Sequence, residues 1–275
     1  MSIFKSDEPI DLSKHVLATY QTLRVVLGVI ALLFPWVLWG GGFRSHDHLG
    51  LQGSMSAYYH ANAASETEFA AREAAERAGQ QRSLVHLDSG RGVMRNWFVG
   101  VLFTIAALLA VYKGFRPAED WALNLAAIFA VLVALFPMAW GEPGAPFHGI
   151  FAGCFFICIA YVCIFCAPAT LPLVEESRRP HYRWIYKMLG YTMVTSPAIA
   201  SFISVTFGFR NSYLFIGETC GVYGFAAYWL VKTYEISKTK ADRRAACGEL
   251  LLPAGKGLSD VLREISVTYG MADKL

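Results

Sequence analysis

A small set of polar residues in this chain could carry chemistry, because these residues stand beside or inside long apolar blocks. An acidic group such as Glu218 within a membrane span costs on the order of 2.5–3.5 kcal/mol, so it needs a partner. Histidine and serine side chains can bind a ligand or take part in proton transfer. We predict a polar, ligand-binding cluster made of Ser56, His60, Arg95, Asn96, His148, Arg210 and Glu218.

Glu218 is the most informative member of this cluster, and two roles for it stay open. It could act as a base or metal ligand in a polar pocket, or form a structural pair with Arg95, Arg210 or His148. A catalytic zinc site needs three protein ligands and one open position. His60, His148 and Glu218 could supply those ligands, although the chain has no His-x-x-x-His spacing. Zinc is therefore the candidate metal, and the cofactor is otherwise open.

The composition places these residues in a membrane protein. Hydrophobic residues make up 55% of 275 positions and charged residues only 16%, whereas a soluble domain carries about a quarter charged residues. Apolar blocks of about 20 residues suit helices that cross ~30 Å of hydrocarbon with every backbone group bonded internally. Six such blocks occur, at 23–39, 97–112, 121–140, 149–167, 185–207 and 213–231. We predict an all-α, polytopic bundle of six transmembrane helices.

The basic residues predict the orientation of this bundle. If the N-terminus is inside, most of the 24 Lys and Arg residues fall in inner loops and the C-terminal tail. The positive-inside rule then places both termini in the cytoplasm and the polar cluster at the periplasmic face. We therefore expect a protein of the bacterial inner membrane, with a transmembrane domain at 1–235 and a cytoplasmic tail at 236–275.

Two segments outside the bilayer carry helical patterns. The periplasmic loop 40–93 contains a stretch at 63–82 that is rich in Ala, Glu and Arg, with Glu preceding Arg by four residues twice. Such pairs stabilise a helix, so we predict a helical insert there. In the cytoplasmic tail, apolar residues after 257 recur on one helical face. This periodicity predicts a short amphipathic helix.

Distinctive motifs flank the first four spans. They include Ser-Met-Ser-Ala-Tyr-Tyr-His at 54–60, Arg-Asn-Trp-Phe-Val-Gly at 95–100, Tyr-Lys-Gly at 112–114, Ala-Leu-Phe-Pro at 134–137 and the fourth span from His148. Together they resemble an uncharacterised group of bacterial six-span integral membrane proteins, distantly similar to the DRAM/Sfk-type family. The resemblance covers roughly residues 20–235 and implies a six-span bundle without a settled biochemical role. In the group's pattern an acidic residue stands where this chain has Asn96.

A looser resemblance concerns the fragment Ser-x-x-x-His. Ser56 and His60 match this fragment in the ceramidase and adiponectin-receptor superfamily, where it contributes to an intramembrane zinc site. That superfamily also has a late His-x-x-x-His pair and seven spans. This chain has no such pair, and its hydropathy predicts six spans.

Three functions are consistent with these observations. The first is a non-enzymatic membrane protein, accessory, sensory or lipid-interacting, whose periplasmic pocket binds a headgroup, a small ligand or a partner subunit. The second is a membrane-embedded, metal-dependent hydrolase acting at the outer leaflet. The third is a channel or transporter, which would need a continuous polar path. We expect the lipid bilayer, membrane protein subunits or a second copy as partners, and the net charge of +3 is too small to indicate nucleic acid.

Overall fold

The computed structural model describes residues 12–44, 50–60, 93–136, 138, 147–207 and 212–247. Its long helices are α1 (Leu12–Arg44), α2 (Val93–Val111), α3 (Pro117–Leu135), α4 (Phe147–Tyr161), α5 (Arg179–Phe207) and α6 (Tyr213–Thr239), followed by the short α7 (Ala241–Ala246). These described ranges contain no strand. The insert predicted at 63–82 and the amphipathic helix predicted after 257 lie outside them.

Six helical segments in the described part of the chain are long and apolar enough to cross a membrane. This confirms the predicted all-α, six-helix bundle. The helix ends differ from the hydropathy blocks: α3 ends at Leu135, and α6 continues to Thr239. The last helix extends past its apolar block because the charged side chains of Lys232 and Glu235 are paired within the protein.

The six long helices form a closed ring. Each helix packs against the next along the chain, and α6 packs against α1. All six contribute to a buried apolar cluster at the centre, which includes Leu27, Leu109, Leu123, Ile159, Tyr186 and Phe225. Large apolar side chains such as Trp36, Ile128 and Phe202 are also exposed on the outside. An apolar exterior is what a bundle needs when its solvent is lipid.

Glycines on α6 bring α5 and α6 into close contact. A Cβ atom at Gly217 would lie 2.2 Å from the Cβ of Ala200 and 2.7 Å from the backbone oxygen of Ser196. One turn along, Gly221 lies against the ring of Pro197. Small residues at such contacts are the common means by which membrane helices pack closely.

We expect Gly217→Ala to lower the free energy of unfolding by about 1–3 kcal/mol, because the added methyl group must push α5 and α6 apart. Gly100→Ala is the matched control, since a Cβ at Gly100 meets nothing within 4 Å. It should leave stability unchanged or raise it by up to about 1 kcal/mol. Unfolding in detergent, followed by circular dichroism, measures both variants. Equal stabilities would contradict tight packing at Gly217.

The fourth span changes helix type along its length. α4 passes into a π-helical turn, Val162–Cys166, and then a 3-10 helix, Ala167–Leu173. Pro168 lies at the start of this 3-10 helix, where its missing backbone N–H interrupts the α-helical ladder. In this region the span contacts α5 closely, since a Cβ at Gly190 would lie 2.4 Å from Cγ1 of Ile164. The fourth span and α5 are therefore tightly packed around the π-helical turn.

Candidate functional site

A short 3-10 helix, Met55–His60, packs on one end of the bundle. Its Met55 and Tyr58 side chains are buried in an apolar cluster with residues of α1, α2, α3 and α6. The preceding loop is tied to α6 by a hydrogen bond of 2.9 Å from the Phe215 N–H to the Gly53 carbonyl. Burial raises the pKa of Tyr58, so its hydroxyl keeps the proton that it donates to the Gly50 carbonyl. The loop and its 3-10 helix are thus a fixed part of the structure.

Glu218, on α6, fixes the start of this 3-10 helix. Its carboxylate accepts a hydrogen bond of 2.7 Å from the Met55 N–H and one bifurcated bond from the Ser54 hydroxyl, whose oxygen lies 2.9 and 3.0 Å from the two carboxylate oxygens. The Ser54 Oγ in turn accepts the Ser56 N–H at 3.1 Å. Charge-assisted bonds to a carboxylate are about twice as strong as neutral ones. The carboxylate therefore holds the backbone at 54–56 in place.

Ser56 and His148 form a hydrogen-bonded pair beside Glu218. The Ser56 Oγ lies 2.6 Å from Nε2 of His148, and both side chains are buried. On the other side of the ring, Nδ1 lies 2.8 Å from the backbone oxygen of Phe136. His148 is the second residue of α4, and Phe136 follows the last residue of α3. We call this end of the bundle, with Ser56, His148 and Glu218, the Ser56 end.

A cavity of about 890 Å³ lies within the ring at the Ser56 end. Its walls are largely apolar and come from all six long helices, and Ser56, His148 and Glu218 are among its few polar lining residues. The volume falls within the roughly 300–1,000 Å³ of ligand pockets. From His148 to Phe156 the cavity extends about 12 Å along α4, at about 1.5 Å per residue. It is therefore an apolar space with a polar end.

The cavity opens sideways between α4 and α5. Gly149 and Gly153 line it from α4, and a Cβ at either position would meet nothing within 4 Å. Ala198 and Ser201 line it from α5. All four residues are exposed as well as cavity-lining, so they border an opening on the face that the spans present to lipid.

The structure brings together three members of the predicted cluster, namely Ser56, His148 and Glu218. Arg95 and Asn96 are exposed at the start of α2 and are not among the residues that line the cavity. Arg210 and the side chain of His60 lie outside the described residues. The partners found for Glu218 are Ser54 and the Met55 N–H.

The zinc site predicted from His60, His148 and Glu218 stays a prediction. His148 and Glu218 line the same cavity, but the described residues contain no group of three His, Cys, Asp or Glu side chains suited to a metal. The His148 ring uses both nitrogens, and the Glu218 carboxylate both oxygens, in hydrogen bonds. A metal at this place would have to displace some of these bonds.

A second buried polar network lies near the other end of α6, at what we call the Lys232 end. Lys232 and Glu235 form an ion pair of 3.1 Å, with side chains 1% and 0% exposed. The ammonium also donates to the Ala167 carbonyl at 2.8 Å and to the Thr170 hydroxyl at 2.6 Å. The hydroxyls of Thr170 and Tyr186 donate to the Glu235 carboxylate. This network connects α6 to the fourth span and to α5.

Arg24 adds a second ion pair at the Lys232 end. Its guanidinium binds Asp242 of α7 through both terminal nitrogens, at 2.5 and 3.3 Å, and lies 6.0 Å from the ring centre of Tyr112. Burial, together with the charge of Glu119, raises the pKa of Tyr112 against the opposing effect of Arg24. Glu119, in the first turn of α3, accepts a hydrogen bond of 2.9 Å from the Phe115 N–H and so holds the loop that precedes the helix.

The sequence pattern does not single out the Lys232 network or Ser54. In the sequence analysis, Lys232 counts only as one of the basic residues on the cytoplasmic side that predict the orientation of the bundle. The sequence does contain a pattern that indicates a buried ion pair. Lys232 and Glu235 are three residues apart, and the apolar residues Trp229 and Ile236 lie on either side of them. All four are buried on α6.

Comparison of the chain with models of known protein families, with curated protein sequences and with solved structures finds no match. The geometry of the site therefore carries the functional inference alone. That geometry combines an apolar cavity open towards lipid, a hydroxyl bonded to an imidazole, and a carboxylate that holds the hydroxyl-bearing loop.

Proposed function

We propose that this chain is a lipid-interacting integral membrane protein, and that its cavity takes up an acyl chain of a membrane lipid. The observation that carries the proposal is the sideways opening bordered by Gly149, Gly153 and Ala198. A ligand that arrives through this opening comes from the hydrocarbon layer, not from water. Inside, the apolar walls suit the chain, and the hydrogen-bonding groups of Ser56 and His148 suit the polar linkage of the lipid.

We further propose that the Ser56 end lies in the outer leaflet of a bacterial inner membrane, with both termini in the cytoplasm. The supporting observation is the distribution of positive charge. Arg178, Arg179, Lys238 and Arg244 all lie near the Lys232 end. In this orientation the lipid would come from the periplasmic half of the bilayer.

The arrangement of polar groups favours lipid binding over transport. Glu218 and Lys232 stand about 21 Å apart along α6, at about 1.5 Å per residue. Between the two ends, the described residues include the buried apolar side chains Leu27, Ile105 and Phe225. A transporter uses polar groups near the middle of the membrane, where this bundle is packed with apolar ones.

Photocrosslinking in vesicles of phosphatidylethanolamine and phosphatidylglycerol tests the proposal, with a phospholipid that carries a diazirine midway along one acyl chain. We expect crosslinked peptides from the cavity walls on α4 and α5. Gly153→Trp should lower this crosslinking about tenfold, a loss equivalent to ~1.4 kcal/mol, because the indole blocks the opening.

The matched control is Gly100→Trp, which also places an indole at an exposed helical glycine with open space around it. Gly100 does not line the cavity, so crosslinking to α4 and α5 should stay at the wild-type level. Crosslinks spread evenly over the outer faces of the helices, and unchanged in Gly153→Trp, would refute the proposal.

A further inference from the structure

We propose that Ser56 is a nucleophile that takes the acyl group from an ester of a membrane lipid, with His148 as its general base. This inference rests on the proposed lipid cavity and adds a reaction to it. A nucleophile and base are recognised by a hydrogen bond of about 2.6–3.2 Å and by a third group that orients the base. Ser56, His148 and the Phe136 carbonyl form such a series.

The Phe136 carbonyl determines which nitrogen of His148 can act as the base. A carbonyl oxygen only accepts hydrogen bonds, so Nδ1 of the ring must carry a hydrogen to make the 2.8 Å contact. In the neutral imidazole, the lone pair of Nε2 then accepts the hydrogen of the Ser56 hydroxyl at 2.6 Å. This is the tautomer that removes a proton from a serine during attack.

Ser56 is held rigidly for this role. Its side chain is 6% exposed, and its backbone N–H is bonded to the Ser54 Oγ, which donates to Glu218. Glu218 acts on Ser56 through Ser54 and the backbone, and not through the Ser56 hydroxyl. It is therefore a positioning residue for Ser56. A nucleophile fixed in advance loses little entropy on reaching its reacting geometry.

The cavity would place the substrate's ester bond beside Ser56. An acyl chain lying along the apolar walls towards Phe156 and Phe225 has its carboxyl end at the polar end of the cavity. Ser56 and His148 line that end, and His148 is only one residue into α4. In this proposal water enters at this end of the span, beside the buried reacting groups, while the chain stays in the apolar part.

The reaction consists of two balanced steps. In the first, the Ser56 Oγ bonds to the ester carbonyl carbon as its proton passes to Nε2 of His148. The bond from that carbon to the alcohol oxygen breaks, the alcohol leaves with the proton from Nε2, and an acyl-Ser56 ester remains. In the second step, water attacks this ester through the same base. A free carboxylic acid leaves, and the Ser56 hydroxyl is restored.

The test uses a long-chain alkyl fluorophosphonate, which phosphonylates activated serines, on the full chain purified in detergent. We expect mass spectrometry to place one label on Ser56. Ser56→Ala should lose the label, and His148→Ala should slow labelling about 10²–10⁴-fold, the usual contribution of a general base. Ser177→Ala is the control, because Ser177 is an exposed serine outside the cavity lining, and its variant should label at the wild-type rate.

The photocrosslinking lipid separates failure of this inference from failure of the cavity proposal. If the Ser56→Ala variant still crosslinks lipid, it is folded. The absence of the label in that variant then supports Ser56 as the nucleophile. Wild-type protein that crosslinks lipid but takes no label at Ser56, or labels at the same rate in His148→Ala, overturns the nucleophile and leaves the lipid cavity standing. Wild-type protein that does neither overturns both.

Discussion

We expect Lys232→Met to lower the free energy of unfolding by about 3–5 kcal/mol, the usual cost of removing one partner from a buried ion pair. Methionine fills a similar volume, so the loss comes from charge and not from a cavity. The Glu235 side chain is 0% exposed, and without the ammonium it keeps only the hydroxyls of Thr170 and Tyr186 as partners among the described contacts. Unfolding by denaturant in detergent micelles measures the change.

Two comparisons make this prediction specific to the buried charge. Lys238→Met makes the same change on the same helix, but Lys238 is exposed and lies 5.5 Å from the ring centre of Tyr234. It should cost no more than about 1 kcal/mol. In the double variant Lys232→Met with Glu235→Gln, both charges are gone and the glutamine oxygen can still accept from the Thr170 and Tyr186 hydroxyls, so part of the lost stability should return. A double variant less stable than Lys232→Met would contradict the prediction.

The six spans of the fold can be predicted from the sequence because hydropathy and length set them. In lipid, a chain can satisfy its backbone only by forming a helix, so an apolar block of sufficient length specifies the element. The ends are less predictable. α6 runs through Lys232 and Glu235 to Thr239, since charges that pair in the interior no longer mark the boundary of a span.

The candidate site can be predicted only in part. Topology places Ser56, His148 and Glu218 at one end of the bundle, and the structure brings these three to one cavity. The same reasoning includes Arg95 and Asn96, which are exposed on α2. Which side of a helix faces inward depends on how it is rotated against its neighbours, and a single sequence gives depth far better than rotation.

The hydrogen bonds of the site are the least predictable feature. The bond from Ser54 to Glu218 joins residues 164 positions apart, and that from Ser56 to His148 joins residues 92 apart. Each depends on a loop conformation that no helical or strand period describes. A general expectation does hold, because a carboxylate inside a span must have partners. Here two of them come from a loop and are uncharged.

The difference between the two ends of the bundle explains where a cavity can open. At the Lys232 end, buried ion pairs and hydroxyls connect α6 with α5 and the fourth span, and Gly190 lets the fourth span approach α5. At the Ser56 end, Gly149 and Gly153 leave open space beside α5. The polar network therefore holds the helices together at one end while small residues leave a gap at the other.

We expect Glu218→Leu to lower the free energy of unfolding by about 2–6 kcal/mol, because it leaves the Ser54 hydroxyl and the Met55 N–H without their acceptor, at about 1–3 kcal/mol each. Ser54 and Met55 are 2% and 3% exposed, so water replaces the lost bonds poorly. The loop should shift, and Ser56 should lose its alignment with His148. Fluorophosphonate labelling of the detergent-purified protein measures this loss of alignment at Ser56. Lipid photocrosslinking in vesicles shows whether the cavity still takes up lipid.

The variant Glu218→Gln distinguishes a positioning carboxylate from a reacting one. Glutamine keeps an oxygen that can accept from Ser54 and Met55, so it should cost only about 0.5–1.5 kcal/mol and retain much of the labelling at Ser56. If Glu218 were instead the base or a metal ligand, the neutral amide would abolish labelling as completely as leucine does. Glu176→Leu, which removes an exposed carboxylate, should change stability by no more than about 0.5 kcal/mol. A ranking in which glutamine and leucine are equally damaging would assign the chemistry to Glu218 itself.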